Sequence, residues 1–284
     1  MRNDNDIHTP TPLYIGAGFT LIEISVVLII IGLLIGGILV GNDLIKSSLI
    51  RSQISQIESY NTAALTFKNK YEGLPGDLKS ASGFGFPDAQ GYSTAYAVGS
   101  NPGDGLIMSC HNDSLTTTTF PPYGYIAFSC ENSMFWTHLS MAYLIGDKFT
   151  RTDNATAFIV IAGSQKDLYV PKAEIPNNYV FIYAWNGVHY FHLVGIGSQL
   201  SNVNGTEVPI NKITPLEAFQ IDSKLDDGLP TSGKVLANDY VPNNIRINLT
   251  AGSPTVCRNA ANGYNISSAV SNDPLCQLRF KADF

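Results

Sequence analysis

Gly18-Phe19-Thr20-Leu21-Ile22-Glu23-Ile24 heads an apolar run that continues to Val40. Phe19 to Val40 is 22 residues with one charge, Glu23. At about 1.5 Å per residue this makes roughly 33 Å of helix, enough to cross a bilayer core. Two details separate the run from a secretory signal peptide. Gly18, a small residue, precedes the apolar stretch, whereas a signal peptide places its small-residue cleavage site afterwards. The segment before it carries Asp4 and Asp6 in place of a basic n-region. A plain membrane anchor leaves Glu23 unexplained, because an ionisable group at the bilayer centre costs roughly 3 kcal/mol unless paired or snorkelling. Arg2 before the run, with Lys46 and Arg51 after it, gives little basis for orientation.

The apolar pattern narrows after Gly41 and continues. Ile50, Ile54, Ile57, Tyr60, Ala64, Phe67 and Tyr71 recur at helical spacing. Arg51, Ser52, Gln53, Ser55, Gln56, Asn61 and Lys68 lie between them as an expected polar face. Gly73 and Leu74-Pro75-Gly76 then stop the helix. The spacing predicts one helix from Phe19 to about Tyr71, roughly 80 Å long. Its first half is apolar all round and its second half is amphipathic. Gly32, Gly36, Gly37 and Gly41 are read either as points of bending or as small faces for close helix approach. Ala, Tyr and Phe in the stripe suit a globular partner better than a two-stranded coiled-coil seam.

On Gly18 to Ile24 and the run through Gly41, the chain resembles the prepilin-type signal of type IV pilins and type II secretion pseudopilins. That resemblance implies cleavage by a prepilin peptidase between Gly18 and Phe19, followed by N-methylation of Phe19. It implies a cleaved leader over 1–18 and a transmembrane and assembly segment over 19–41. The amphipathic half of the spine helix covers 42–72, and a globular head covers 73–284. The implied fold is α+β: a long N-terminal spine helix packed on an antiparallel sheet, with extra loops and short helices. The implied location is a single-pass inner-membrane precursor with cytoplasmic leader and periplasmic head, which passes into a pilus, a pseudopilus or the cell surface. Partners are other pilin subunits, the peptidase, the membrane and an inner-membrane assembly platform. Glu23 gains a role here. The amine freed at Phe19 and a neighbouring subunit's Glu23 are opposite charges in a low-dielectric core, where pairing is strong.

The head is read from its punctuation. Residues 76 to about 130 are rich in Gly, Ser, Asn and Pro and are expected to be surface loops, with a short extended piece at Gly124–Phe128. Ser133 to Leu144 is a predicted helix with Phe135, Leu139, Ala142 and Tyr143 on one face, closed by Gly146. Ala157–Ala162 is a predicted buried strand. Tyr179–Trp185 and Val188–Ile196, joined by Asn186-Gly187, predict a type I′ hairpin. Thr214-Pro215-Leu216-Glu217 is a capping box opening a helix to about Leu225, before Asp226-Asp227-Gly228-Leu229-Pro230. Leu74–Leu78 and Ile221–Pro230 also resemble segments of prepilin-type proteins, and Asn101–Gly105 and Phe135–Leu139 do so more loosely.

The four cysteines, Cys110, Cys130, Cys257 and Cys276, all lie outside the apolar run, and their even number suggests disulfides in an exported head. Four cysteines allow three pairings; separations of 20 and 19 favour Cys110–Cys130 and Cys257–Cys276. Free buried thiols are the alternative. By the resemblance, the second pair staples a C-terminal loop. No C-x-x-C is present, which argues against zinc or thioredoxin-type chemistry.

No cofactor is expected. Asp222, Asp226, Asp227 and, separately, Asp104 are candidate calcium ligands, but they lack the D-x-D-x-D-G register of a calcium loop. Asp226-Asp227-Gly228 is also a helix-ending turn by itself. His189 and His192 alternate sides in one strand and make a poor metal pair. No G-x-S-x-G, H-E-x-x-H or P-loop occurs, so no enzyme activity is expected. With 17 basic and 23 acidic residues, a formal charge of −6, no nucleic-acid partner is indicated. The expectation is a structural subunit of a type IV pilus-like filament. A head larger than the sheet needs points to a minor subunit, with tyrosines and Asn/Ser/Gly loops suited to adhesion. The runner-up is a type II secretion pseudopilin, and a third reading is a membrane-anchored enzyme or receptor.

Overall fold

The computed structural model of the chain describes residues 19–89, 102–108, 130–150, 167–197, 208–210, 212–239, 257–259, 261–267 and 271–284. Helix α1 spans Leu21–Tyr71, 51 residues. The chain divides into two compact units, Met1–Ser47 and Ser48–Phe284. In the first, the large apolar residues of α1 are exposed, from Leu21 at 87% to Leu39 at 62%. Among the described residues α1 is the one helix long and apolar enough to cross a membrane; a signal sequence passes the same test.

In the second unit, α1 buries Ile50, Ile57, Tyr60, Ala64 and Phe67, as their spacing requires, with Ile54 and Tyr71 partly covered. Gln53 and Asn61, assigned to the polar face, are buried as well. Both are buried because they bond backbone groups of the sheet side. Gln53 Oε1 accepts from Ile175 N–H (3.1 Å) and Asn61 Oδ1 accepts from Asp283 N–H (2.9 Å). The helix ends on Glu72, a non-glycine at φ +57. A Cβ on Gly73, the next residue, would lie 2.7 Å from the end of the Leu78 side chain, which would have to shift.

The strands are β1 Tyr179–Trp185, β2 Val188–Gly197, β3 Val208–Ile210, β4 Val235–Asp239 and β5 Cys276–Lys281. They form an antiparallel sheet in the order β1-β2-β5-β4, with β3 on the far end of β2. The architecture is α+β. Trp185 pairs with Val188 around Asn186 (φ +50) and Gly187 (φ +75), the positive pair that a type I′ turn demands. Ile182 pairs with Phe191 and Phe191 with Phe280, which aligns one apolar face across three strands. Tyr60 of α1 and Phe135 and Trp136 cover that face, each with its ring 6.1–6.2 Å from Phe191. On the opposite face Arg279 lies over the Trp185 and Tyr190 rings, at 5.1 and 5.3 Å.

Helix α2 is Cys130–Met141, three residues earlier at each end than the spacing predicts. Glu131 to Leu139 are all buried, so this helix is enclosed and not amphipathic. Tyr143 (φ +58) takes the left-handed turn two residues after the helix end, so Gly146 does not close the helix. Helix α3, Pro215–Leu225, opens with the capping box: Thr214 N–H and hydroxyl donate to Glu217 (2.9 and 3.0 Å), and Glu217 N–H donates back (3.2 Å).

The stretch read as surface loops is partly core. Leu78, Ala81, Phe86 and Ile107 are buried, and Ala81–Phe84 is a short 3-10 helix. Phe86 packs on Phe67 and Tyr71 (5.3 and 5.0 Å), so aromatic side chains in a glycine-rich segment close the end of α1. The expected pieces at Gly124–Phe128 and Ala157–Ala162 lie outside the described residues.

Candidate functional site

At the head of α1, Phe19 and Thr20 precede the first helical residue, Leu21, and both are exposed. Thr20 N–H and hydroxyl donate to Glu23 Oε2 (2.8 and 2.7 Å), and Glu23 N–H donates to Thr20 Oγ1 (3.3 Å). This is a reciprocal capping box, and it sets the carboxylate at the positive end of the helix dipole. Thr20 was not singled out from the sequence, although Thr-x-x-Glu is the spacing that reveals it. Gly18 lies outside the described residues.

The acidic loop after α3 gathers three candidates. Asp222, Asp226 and Asp227 can each place a carboxylate oxygen within 4.8 Å of the others, the spacing of a cation site. Each already has backbone or side-chain donors. Asp222, buried, accepts from Tyr264 hydroxyl (2.6 Å) and Gly228 N–H (3.1 Å). Burial pushes its carboxyl up to about 6, helped by the charges of Asp227 and Asp226. Asp226 accepts from Lys234 and Val235 N–H, and Asp227 from Leu229 N–H (2.8 Å) and Ser232 hydroxyl (2.6 Å). The loop is thus closed by its own carboxylates, as a structural turn is. Asp104 is not in the group; its Oδ1 accepts from Leu106 N–H (2.9 Å) in another segment.

Three short segments are brought together at the end of α1. Asp77 accepts from the N–H groups of Gly103, Asp104 and Gly105. Gly76 N–H donates to His138 Nδ1 (2.9 Å), so Nε2 carries the proton and donates to the Pro87 carbonyl (2.8 Å). Burial holds the His138 ring down at about 4, neutral at ordinary pH. A Cβ on Gly76 would overlap the Glu131 carbonyl, so this turn must be glycine to sit against α2. Leu74–Leu78, Pro102–Gly105 and Phe135–Leu139 are therefore parts of one buried joint.

His189 and His192 lie on opposite faces of β2 and are buried. His189 Nε2 accepts from Ile107 N–H (3.1 Å), and His192 Nε2 meets Gln277 Oε1 (3.1 Å). Burial pushes His192 down to about 3 and lowers His189. Cys257 and Cys276 form a disulfide with Cα atoms 4.9 Å apart. It ties the loop carrying Tyr264 to β5, and Tyr264 in turn bonds Asp222 at the end of α3. Cys110 lies outside the described residues, and Cys130 is placed as the first residue of α2. No protein-family model, curated protein or solved structure matches the chain.

Proposed function

We propose that this chain is a subunit of a type IV pilus-like filament, cleaved between Gly18 and Phe19 and assembled through the first half of α1. The observation that carries the reading is the contrast along that helix. Its first part exposes nearly every large apolar residue and carries a carboxylate at its head, whereas its second part is sealed into the head. Exposed apolar surface on this scale needs lipid or further copies of the same helix to cover it. Lipid suits the precursor and helix neighbours suit the filament. Glu23 then distinguishes the two states, because a neighbour's Phe19 amine neutralises it only after cleavage and assembly. The α+β head is structural in this reading, serving surface or tip contacts and no catalytic role.

Mass spectrometry of the protein from sheared filaments tests the cleavage: the expected N-terminus is Phe19, methylated. Material that keeps Met1 to Gly18 in assembled form overturns it. Glu23→Ala is expected to leave cleavage and membrane insertion intact and to abolish incorporation. Incorporation at the unaltered level excludes the proposed ion pair. An anchored enzyme would instead give a head that acts alone and never polymerises.

A further inference from the structure

Residues 102–108 are attached to the head in an unusual way. Six consecutive backbone N–H groups, from Gly103 to Met108, all donate to side chains. Gly103 and Asp104 donate to Asp77 Oδ1, Gly105 to Asp77 Oδ2 (2.7 Å) and Leu106 to Asp104 Oδ1 (2.9 Å). Ile107 donates to His189 Nε2 (3.1 Å) and Met108 to Glu131 Oε2 (3.0 Å). Every acceptor is titratable, and three of the four belong to other parts of the head: the turn at 74–77, β2 and α2. The carbonyl side does other work. Ile107 O accepts from Ala184 N–H (2.8 Å), so the segment covers the outer edge of β1, and Met108 O accepts from Asn132 N–H (3.3 Å). Ile107 itself is fully buried.

Glu131 is the weak point of this attachment. It is buried, and its Oε1 has no hydrogen-bond partner among the described residues. As an anion it would leave a desolvated oxygen unpaired beside the carboxylates of Asp77 and Asp104, which is costly; as a neutral acid it is tolerated. We propose that residues 102–108 form a proton-dependent strap over the β1 edge, closed while Glu131 is neutral and released as Glu131 ionises. Burial pushes the Glu131 carboxyl up to about 9, with the charges of Asp77 and Asp104 adding to it. In the released strap Glu131 meets water and returns to the ordinary carboxylate range. The closed state therefore holds the proton more tightly. Closure weakens as pH rises, by up to about tenfold per unit between the two values.

Other charged groups surround the strap. Burial raises Asp77 to about 6 and lowers His189 below its usual value. His138 on α2 sits at about 4, while Lys68 of α1 acts on His189 and Lys79 packs against Gly103. Above about pH 7.5, where an ordinary imidazole and Asp77 have both given up their protons, Glu131 is the group whose proton differs between closed and released strap. Release bares an unpaired strand edge and Ile107, a surface that invites pairing with another chain.

Amide hydrogen exchange on the full chain in detergent micelles, corrected for the intrinsic pH dependence, tests this. From pH 6.5 to 8.5, protection at residues 103–108 and at Ala184 is expected to fall at least tenfold while β2 and β5 hold. Glu131→Gln, which keeps an acceptor for Met108 and cannot ionise, is expected to flatten that dependence. Unchanged strap protection, an equal fall in the variant, or a parallel loss across the sheet each overturns the proposal. Infrared spectroscopy gives a readout that does not need the variant to fold. The unaltered protein should show a buried carboxylic-acid band at pH 7 that fades in step with strap exchange, and absence of that band refutes the neutral acid.

Discussion

A few side chains carry consequences out of proportion to their size. Gly76 and Gly85 both sit at positive φ, +86 and +83. An added Cβ at Gly76 meets α2, 3.0 Å from Phe135 N, whereas at Gly85 it meets open space. Gly85→Ala is therefore expected to cost about 1 kcal/mol of backbone strain, and Gly76→Ala about 3 kcal/mol or more from strain plus overlap. Thermal melting of the two variants checks the difference. His138 offers a pH test with a definite sign. Its folded value, about 4, lies below the free imidazole's, so its contribution is present above about pH 6.5 and is lost as pH falls towards 4. His138→Leu is expected to destabilise by about 2 kcal/mol at pH 7, through the unpaired Gly76 N–H and lost ring packing on Phe67 and Phe86. That penalty should shrink on going from pH 6.5 to 4; a constant penalty would show that His138 is not held neutral.

Among the elements, the second half of α1 is fastened by amides as well as by apolar packing. Gln53 and Gln56 form a relay: Gln53 Nε2 donates to Gln56 Oε1 (3.0 Å), and Gln56 Nε2 donates to the Lys172 carbonyl (2.7 Å). The pair thereby grips residues 172–175 ahead of β1. Gln53→Leu strands the Ile175 N–H and is expected to cost about 2 kcal/mol in chemical denaturation, despite improving the apolar stripe. The disulfide acts at the start of β5. Breaking Cys257–Cys276 by paired serine substitution should cost about 3 kcal/mol by the loop-entropy argument for its separation of 19. Loss of protection should centre on Tyr264 and the end of α3.

At the scale of the whole molecule, the division at Ser47 and Ser48 makes a clear demand. A chain beginning at Ser48 retains Ile50, Ile57, Tyr60, Ala64 and Phe67 and should fold to a soluble head with a cooperative melt. One beginning at Leu74 removes that apolar ridge from the sheet and should not fold cooperatively. Circular dichroism of the two fragments tests whether the amphipathic half of α1 belongs to the head.

What the residues determined by themselves was local or periodic. The 22-residue apolar run, the Asn-Gly hairpin and the Thr-Pro-Leu-Glu cap each depend on neighbours within a few positions, so the sequence reports them directly. The helical stripe from Ile50 to Phe67 is legible for the same reason. Tertiary structure decided what becomes of the polar residues. Gln53 and Asn61 read as solvent-facing because their partners, Ile175 and Asp283, lie 122 and 222 positions away. The joint of Asp77, His138, Glu131 and the strap was hidden likewise. Its bonds run from side chains to distant backbone N–H groups, which carry no residue signature. Burial then sets the protonation of those groups, and burial exists only after the chain has folded.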